Sequence, residues 1–392
     1  MSEEDLRGAP RVLIAPDSFK GTASAAEAAQ AIAEGWAAVR PGDALALAPM
    51  ADGGEGTLDA FAAADPGARS IPVQVTGPDG RPVQAQWLLL SDGTGVVELA
   101  NTSGITLLDP LRGMDAHTLG FGQAIRAALE HGVRRLVLGI GGSSSTDGGA
   151  GALLALGARL LNADGEPVPL GARGLAAVAA VDLRGIAPLP ADGALVVTDV
   201  RSPLLGPTGA AAVFGPQKGL TPEEIPLADA ALARFAALLP AVAADAPGAG
   251  AAGGTGFGLL AWGARLTPGS DAVAEAIGLE AAVRASTLVI TGEGQFDAQS
   301  AQGKVPSHVL GLARDADSGA ALVAGRIVGD STPFDDAVAL SDLAGSPAAA
   351  MAEPLRWLRE AGALLARRWQ PAGKPPAAEA GGGTPRPASA TR

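Results

Sequence analysis

The chain has 392 residues, of which 47% are hydrophobic, so it is long and apolar enough for a large core and suggests two domains. The net charge of −13 disfavours a nucleic-acid surface, and the lack of cysteine excludes disulfides, thiolate metal sites and cysteine nucleophiles. The acidic start, Met1–Asp5, is unlike a signal peptide, and no apolar run approaches the length of a membrane span. We therefore expect a cytoplasmic protein with neither nucleic-acid nor membrane partners.

The first part of the chain alternates predicted strands and helices. The apolar run Arg11–Ala15 predicts a strand, and Ser24 with Glu27 three residues later is the capping box that begins a helix. Ala44–Met50 predicts a second strand, which a glycine-rich loop connects to a helix that ends near Ala64. Two successive strand–loop–helix units indicate a parallel sheet.

The pattern changes after this region. Val73–Val75 and Val83–Trp87 flank the turn Gly77–Gly80 and predict a hairpin, and Val96–Leu99 predicts a further strand. This antiparallel passage indicates a domain boundary near residue 72. A helix is then predicted from Thr118 to His131, with a glycine just past its end.

The stretch Gly139–Gly151, with the sequence GIGGSSSTDGGAG, is the centre of the pattern. It follows a predicted strand at Arg134–Ile140, and helical spacing resumes over Ala152–Leu161. A glycine-rich turn between a strand and a helix points several backbone N–H groups at one place, which suits a phosphate. A lone aspartate in such a turn is more often a cap than a catalyst, so we expect Asp147 to be structural. The residues expected to bind an anion here are Gly141, Gly142, Ser143 and Ser144.

The remaining elements lie in the second half of the chain. Gly248–Gly258 is either a flexible linker or a second backbone cradle, and the Pro/Gly/Ala/Ser-rich sequence from Pro371 onward predicts a disordered tail. Further strands and a last helix are predicted at Gly193–Thr198, Thr287–Thr291, Ala320–Ala324 and Ala348–Trp369.

Five predicted strand ends open into loops that combine acidic residues with glycine and with hydroxyl groups or lysine. In open α/β sheets ligands bind outside the carboxyl ends of the strands, so we expect these loops to share one cleft. The five loops are Asp17–Thr22, Asp52–Thr57, Ser143–Gly149, Asp199–Gly209 and Glu293–Lys304.

Lysine is rare and is concentrated in these loops. It occurs only at Lys20, Lys218, Lys304 and Lys374, and the first three adjoin a glycine in the loop regions. A compact ammonium beside a glycine turn suits a phosphate or a carboxylate, and acidic groups suit Mg²⁺. Together these features point to phosphoryl transfer, in which catalysis is mostly positioning and charge neutralisation. The Walker A pattern is missing from the sequence, which excludes a P-loop kinase.

Long motifs follow one another between about residues 11 and 330. They are APDSFKGT at Ala15–Thr22, PMADGGEGT at Pro49–Thr57, GIGGSSSTDGGAG at Gly139–Gly151, DVRSPLLGPTGAAAVFGPQKG at Asp199–Gly219, GAGAAGGTGFGLLAWGARLTPG at Gly248–Gly269 and VITGEGQFDAQSAQGKVP at Val289–Pro306. In these motifs the chain resembles the bacterial two-domain glycerate kinases (glycerate kinase type 1).

The resemblance implies ATP- and Mg²⁺-dependent phosphorylation of D-glycerate at the 2-hydroxyl, giving 2-phospho-D-glycerate and ADP. It also implies an α/β fold in which a Rossmann-like parallel-sheet domain is formed by both ends of the chain and a second, mixed-sheet α/β domain is inserted. We place the first domain at residues 10–72 and 285–370, the inserted domain at 73–284 and the disordered tail at 371–392.

The hypothesis assigns a role to each candidate residue. Lys20 and Lys304 would neutralise the substrate carboxylate and the transferring phosphate, and Asp199 or Asp297 would accept the hydroxyl proton. Mg²⁺ would be bound, directly or through water, by Asp52 and Glu55. The residues expected to bind substrate or phosphate are Asp17, Ser18, Gly141, Gly142, Ser143, Ser144, Lys218 and Glu293.

Two departures from the family leave alternatives open. The family often has aspartate-asparagine where this chain has Arg201-Ser202, and alanine and asparagine within the stretch Ser144–Thr146. One alternative is a kinase for another small hydroxy acid, or one that forms 3-phosphoglycerate. The other is a non-catalytic nucleotide or flavin sensor, because a fold alone does not determine a function. The protein is expected to be a monomer or a homodimer.

Overall fold

The structure is a computed structural model that describes residues 11–19, 21–297 and 304–370. Within these residues the chain forms an α/β fold of two larger β-sheets and the helices that cover them. The predicted catalytic residue Lys20 and the predicted tail after residue 370 lie outside the described residues. None of the described helices is long and apolar enough to cross a membrane.

Strands and helices alternate along much of the described chain. The strands, in chain order, are β1 (Arg11–Pro16), β2 (Ala44–Leu47), β3 (Arg69–Thr76), β4 (Pro82–Leu89), β5 (Thr94–Glu98), β6 (Arg135–Gly139), β7 (Arg159–Leu161), β8 (Ala180–Asp182), β9 (Ala194–Val197), β10 (Arg265–Thr267), β11 (Leu288–Phe296), β12 (Gly319–Ile327) and β13 (Asp336–Ala339). The helices are α1 (Ala25–Val39), α2 (Thr57–Ala64), α3 (Ala100–Ser103), α4 (Leu119–His131), α5 (Ala150–Leu156), α6 (Gly171–Leu175), α7 (Ala210–Phe214), α8 (Glu224–Ala237), α9 (Ala251–Trp262), α10 (Gly269–Ala276), α11 (Leu279–Arg284), α12 (Val305–Asp315), α13 (Leu340–Ala344), α14 (Pro347–Ala352) and α15 (Pro354–Arg368).

The first sheet combines strands from both ends of the chain. Its five described strands lie in the order β13-β12-β11-β1-β2, and every neighbouring pair is parallel. The register places Val12 opposite Leu288 and Pro16 opposite Gly292. The last residue of β1 is therefore level with Gly292, directly before Glu293 of β11. Helices cover both faces of this sheet, which explains the continuous apolar runs of its central strands.

The second sheet is mixed and is built from the middle of the chain. Its six described strands lie in the order β10-β9-β6-β5-β4-β3, of which β10, β9, β6 and β5 are parallel. β4 and β3 pair antiparallel, as the predicted hairpin requires. A parallel sheet made from both chain ends beside a mixed sheet confirms the predicted fold class. The domain boundaries at residues 72 and 284 stay predictions.

The two sheets share a hydrophobic core. Of the three hydrophobic clusters in the described residues, one lies between the second sheet and the helices α4, α5, α8 and α9, and another between the first sheet and α1 and α15. The third includes Leu13 and Val289 of the first sheet, Val137 and Val197 of the second, and side chains of α2, α10, α11 and α12. The sheets are therefore held together by apolar side chains that both contribute.

The predicted ends of two helices are confirmed. At the start of α1, Ser24 Oγ accepts the Glu27 N–H at 3.2 Å, and the Glu27 carboxylate accepts the Ser24 N–H at 2.9 Å, which completes the capping box. At the end of α4, Gly132 adopts a left-handed conformation with φ of 89° just after His131. Both features depend on residues close in sequence, which is why the sequence alone predicts them.

Two predicted helices are wrong in extent. The helix predicted over Ala152–Leu161 ends at Leu156, because Gly157 adopts a φ of 110° and the chain then enters β7, which pairs with β8. The last helix, predicted over Ala348–Trp369, is divided into α14 and α15, and Pro354 begins the second of them. In both cases apolar residues keep their helical spacing in the sequence across a residue at which the helix is interrupted.

The glycine-rich segment Gly248–Gly258 is not a flexible linker. Most of it lies in α9, which is buried and has an irregular first turn with positive φ at Ala252, Gly253 and Gly254. A Cβ at Gly253 would lie 2.0 Å from the carbonyl oxygen of Ser145, so this turn packs directly against the loop after β6. The segment therefore packs against the loop after β6 and supports its conformation.

Candidate active site between the two sheets

The loop Asp52–Thr57, here called the bridging loop, connects the carboxyl ends of the two sheets. On one side it follows β2, and the N–H of Met50 just before it donates to the carbonyl oxygen of Pro16 in β1 at 2.9 Å. On the other side the N–H of Gly141, after β6, donates to the carbonyl oxygen of Gly53 at 2.9 Å. The bridging loop therefore lies next to the carboxyl ends of β1 and β6, where two of the other loops that the sequence predicted to share its cleft begin.

Backbone contacts also join the bridging loop to the ends of β9 and β10. A Cβ at Gly53 would lie 2.3 Å from the carbonyl oxygen of Val197, the last residue of β9. A Cβ at Gly269, which follows β10, would lie 2.1 Å from the carbonyl oxygen of Asp52. Only glycine allows backbones to approach this closely, which gives a physical reason for the glycines in these loops.

Asp199, two residues after β9, has one carboxylate oxygen that is held and one that is not. Its Oδ1 accepts the backbone N–H of Gly269 at 2.7 Å, whereas Oδ2 is buried and has no hydrogen-bond partner among the described residues. Burial raises the pKa of Asp199 to about 6, and the negative charges of Asp52 and Asp271 act in the same direction. A carboxylate with such a pKa and a buried, unpartnered oxygen is suited to accept a proton near neutral pH.

Three predicted site residues lie together at the edge of the first sheet. The Asp17 N–H donates to the carbonyl oxygen of Gly292 at 2.8 Å, so Asp17 and Ser18 lie beside Glu293. Asp17, Ser18 and Glu293 are all buried, and the Asp17 carboxylate accepts the Ser18 N–H at 2.7 Å. The Ser18 hydroxyl is buried without a described partner. This end of the sheet therefore presents buried carboxylates, which accept hydrogen bonds, and a buried hydroxyl group, which can donate one.

Asp297 and Lys304 stand on either side of the segment 298–303, which lies outside the described residues. Asp297 follows β11 and is half-buried, and Lys304 is the N-cap of α12. In the same helix the Nδ1 of His308 lies 2.9 Å from a carboxylate oxygen of Asp271 in the first turn of α10. Since the first residue of α10 holds Asp199, the helix that begins after Lys304 contacts the element that positions Asp199.

Lys218 packs against the loop 140–149 between β6 and α5, here called the glycine loop. It is 2% exposed, and its Nζ donates to the Ser143 hydroxyl and to the carbonyl oxygen of Ser145, each at 2.6 Å. Burial lowers the pKa of Lys218 to about 7, and the negative charge of Asp147 opposes this shift. The described contacts of this ammonium are therefore with the loop itself, and its predicted contact with substrate or phosphate stays a prediction.

The rest of the glycine loop is held by its own polar contacts. The Ser144 hydroxyl donates to the carbonyl oxygen of Ser103 at 2.8 Å. The Asp147 carboxylate accepts the N–H and the hydroxyl of Thr118 at 2.9 and 2.8 Å, and also the N–H of Gly151 at 3.2 Å. Asp147 therefore has the structural role expected for an aspartate in such a turn. Gly141 is half-buried and Gly142 is exposed, so the backbones of these two residues are the parts of the loop that solvent can reach most easily.

The residue that sequence reasoning missed is Glu98, the last residue of β5. It is 5% exposed, and its carboxylate accepts the N–H of Leu58 in α2 at 3.2 Å. Burial raises the pKa of Glu98 to about 7, and the charges of Asp59 and Glu55 act in the same direction. An acid at the end of an otherwise apolar strand was the available signal, but the five residues directly after it, Leu99 to Ser103, include neither glycine nor lysine.

The carboxylates of the bridging loop fit Mg²⁺ only in part. In the part of the chain that the structure describes, no group of three or more His, Cys, Asp or Glu is arranged to hold a metal ion. Mg²⁺ commonly takes one or two carboxylates together with substrate phosphates, so Asp52 beside Asp199 suits it. Glu55 is exposed, and its charge acts on Glu98. The two acids of the bridging loop therefore lie near different carboxylates, Asp52 near Asp199 and Glu55 near Glu98.

Comparison with known proteins connects this chain to one family. The sequence model of the glycerate kinase family matches residues 12–370. Among curated relatives, a glycerate kinase of Bacillus subtilis (strain 168) is 43% identical over 330 residues, which cover 82% of this chain and 86% of the relative. A glycerate 2-kinase of Escherichia coli (strain K12) is 41% identical over 332 residues, with the same coverage of 82% and 86%.

A solved structure is similar in fold as well. A crystal structure from Salmonella typhimurium LT2, whose protein is assigned as a glycerate kinase 2, has a TM-score of 0.78 to this chain and 38% sequence identity. The match covers 92% of this chain and 98% of the other. The similarity therefore extends over both sheets and over the loops that meet between them.

Proposed function

This chain belongs to the glycerate kinase family, and from that premise we propose that it transfers the terminal phosphoryl group of ATP to the 2-hydroxyl of D-glycerate. The products are 2-phospho-D-glycerate and ADP. The single observation that supports this most is Asp199, which lies between the two sheets with one oxygen held by Gly269 and the other buried without a described partner. The name of the Escherichia coli relative, glycerate 2-kinase, supports the 2-position.

Asp199 is the general base in this proposal. The substrate hydroxyl donates its proton to Oδ2, the hydroxyl oxygen forms a bond to the terminal phosphorus of ATP, and ADP leaves with the electron pair of the broken P–O bond. The hydrogen bond from Gly269 keeps Oδ1 in place, so Oδ2 can be directed at the hydroxyl. A positioned base contributes about 10²- to 10⁴-fold to the rate. Asp297 remains the alternative base.

The positive charges have a separate task. Lys20 and Lys304 neutralise the substrate carboxylate and the transferring phosphate, which is the larger part of catalysis when little covalent chemistry is required of the protein. The backbone N–H of the exposed Gly142 holds a nucleotide phosphate, whereas the N–H of Gly141, also predicted for this task, is already used by its hydrogen bond to Gly53. Lys218 stiffens this loop through Ser143. The carboxylates of Asp17 and Glu293 accept hydrogen bonds from the hydroxyl groups of D-glycerate. The Ser18 hydroxyl donates a hydrogen bond to one of these groups or accepts one from it.

Mg²⁺ is assigned to the bridging loop. Asp52 and Glu55 would hold it directly or through water, and Asp52 has the better support because its charge acts on Asp199. When bound, Mg²⁺ neutralises phosphate charge and so favours transfer. The role of the protein is to keep Asp52 at a fixed place between the sheets, which the contacts of Gly53 and Gly269 support.

One assay tests the whole proposal. ADP formation is measured by a coupled assay with D-glycerate and MgATP, and the phosphorylated carbon is identified from phosphorus–carbon couplings in the product NMR spectrum. L-glycerate and the compounds related to tartronate and hydroxypyruvate are run beside it. Faster turnover with one of these would replace D-glycerate, and coupling to C3 would replace the 2-position. Nucleotide binding without any ADP formation would favour the sensor.

Three further parts of the proposal concern the molecule in the cell. We place the enzyme in the cytoplasm, as a monomer or a homodimer that binds small molecules and not nucleic acid. Sedimentation at several protein concentrations decides between one and two copies. The proposed domain boundaries at residues 72 and 284 lie inside β3 and at the end of α11, so limited proteolysis tests them by whether the first cuts fall in the segments next to these two elements.

A further inference from the structure

We propose that Glu98 is a positioning residue that caps α2 from the second sheet and thereby holds the bridging loop in place. Glu98 belongs to β5, whereas α2 directly follows the bridging loop and, through β2, the first sheet. The contact between them crosses from one sheet to the other beside the candidate active site.

α2 has no side-chain cap from its own N-cap residue. A helix begins with backbone N–H groups that have no partner within the helix, and a side chain of the N-cap residue usually accepts one of them. The N-cap of α2 is Gly56, which has a φ of 93° and no side chain to offer. Leu58, in the first turn, instead donates its N–H to the Glu98 carboxylate at 3.2 Å. A carboxylate there also interacts favourably with the helix dipole.

The position of Glu98 in the second sheet brings it next to the bridging loop. It lies opposite Gly139 in the parallel pairing of β5 and β6. A Cβ at Gly139 would come within 2.9 Å of the Gly53 carbonyl oxygen, so β6 can contact the bridging loop only through its backbone. The hydrogen bond of Gly141 to Gly53 holds the first half of the loop, and Glu98 holds the helix that follows it.

Burying an acid at this position costs stability. Glu98 is buried, and the described charges that act on it, those of Asp59 and Glu55, are negative. A buried carboxylate is unfavourable unless hydrogen bonds compensate, and here they come from backbone N–H groups at the start of α2. Burial of Glu98 therefore costs stability, but its hydrogen bonds connect β5 to the start of α2 and so to the bridging loop. Such a costly group is expected to have a functional role.

The consequence concerns Asp52 and rests on the proposed function, which assigns Asp52 to Mg²⁺. The bridging loop runs only from Asp52 to Thr57, so we expect loosening at the start of α2 to reach Asp52 even though the contacts of Gly53 and Gly269 also hold it. Loss of a group that orients a metal ligand typically weakens metal binding by about 10- to 100-fold. Without Glu98, the half-saturating concentration of Mg²⁺ should rise while turnover at saturating Mg²⁺ changes little.

The test compares two variants and one matched control in the full chain. Glu98→Leu removes the acceptor, Glu98→Gln keeps one acceptor oxygen, and Asp92→Asn alters an exposed carboxylate that accepts the Thr94 N–H at the opposite end of β5. We expect amide hydrogen exchange over residues 53–60 to accelerate most in Glu98→Leu, less in Glu98→Gln and not in Asp92→Asn. The half-saturating Mg²⁺ concentration should follow the same order, rising about tenfold in Glu98→Leu.

The outcomes separate this inference from the proposed function. If exchange over residues 53–60 in Glu98→Leu equals that of the wild type, Glu98 does not hold the loop and the inference is overturned. Should that variant fail to fold, Glu98→Ala, which also lacks the acceptor, decides in its place, and wild-type exchange in Glu98→Gln beside faster exchange in the variant without an acceptor supports the cap. A wild-type enzyme that forms no ADP from D-glycerate refutes the proposed function, but the exchange measurement still decides whether Glu98 caps α2.

Discussion

One oxygen of the Asp199 carboxylate accepts the Gly269 N–H at 2.7 Å, and the other oxygen is buried without a partner in the described residues. Replacing Asp199 by asparagine should keep the contact with Gly269 but remove the proton acceptor. We expect kcat to fall by about 10²- to 10⁴-fold with an unchanged thermal midpoint. Asp192→Asn, at the opposite end of β9, is the control. A variant Asp199→Asn with near-normal kcat would transfer the role of base to Asp297.

The pKa of Asp199 should also appear in the pH dependence of the reaction. A base must be ionised to accept a proton, so kcat/KM should fall as the pH decreases through about 6, to which burial raises the pKa of this carboxyl. An aspartate with its ordinary value of 3.8 would place this fall near pH 4. The measurement is log kcat/KM between pH 4.5 and 8, with Asp192→Asn giving the same profile as the wild type. A flat profile down to pH 4.5 would contradict the assignment.

The scarcity of lysine allows a simple test of the charge-neutralising residues. Lys20→Ala and Lys304→Ala should each reduce kcat by about 10²- to 10³-fold, because an ammonium that neutralises developing phosphate charge acts mainly in the transition state. Lys374→Ala, in the predicted tail, should leave kcat unchanged. Circular dichroism checks that each variant is folded. Near-normal turnover in either loop variant would remove that lysine from the site.

Lys218 should make the stability of the protein depend on pH in an unusual direction. Its pKa is about 7 in the folded chain and 10.5 in its ordinary state, so between these values the unfolded chain binds the proton more tightly. The free energy of unfolding should therefore increase from pH 7 to pH 10, by at most about 1.4 kcal/mol per pH unit. The chain has no tyrosine or cysteine to titrate in this window. Urea unfolding of Lys218→Met should lose this increase; curves parallel to the wild type would contradict the prediction.

Two glycines of the bridging loop separate backbone strain from steric clash. Gly53 and Gly56 have similar positive φ of 90° and 93°, but only at Gly53 would a Cβ meet the backbone, at 2.3 Å from the Val197 carbonyl oxygen. Gly56→Ala should cost about 1–2 kcal/mol of stability from strain alone. Gly53→Ala should cost more, since the contact with β9 must open as well. Denaturant unfolding measures both, and equal midpoints would show that the close approach to Val197 does not matter.

Much of this protein follows from residues that are near each other in sequence. The capping box of Ser24 and Glu27, the end of α4 at Gly132 and the hairpin of β3 and β4 depend on contacts over a few residues. The acidic, glycine-rich loops and the rare lysines were sufficient to predict a phosphoryl-transfer site at strand ends. The α/β fold class and the family also follow from the sequence. The roles of the individual site residues stay predictions.

The tertiary structure decided the contacts between distant segments. Asp199 and Gly269 are 70 residues apart, Ser143 and Lys218 are 75 apart, and Glu98 is 40 residues from Leu58. A local pattern cannot show which oxygen of a carboxylate is held, which lysine is buried inside a loop, or which acid caps a helix of the other sheet. These properties depend on burial and on backbone groups brought close by the packing of the two sheets, and both exist only after the chain has folded.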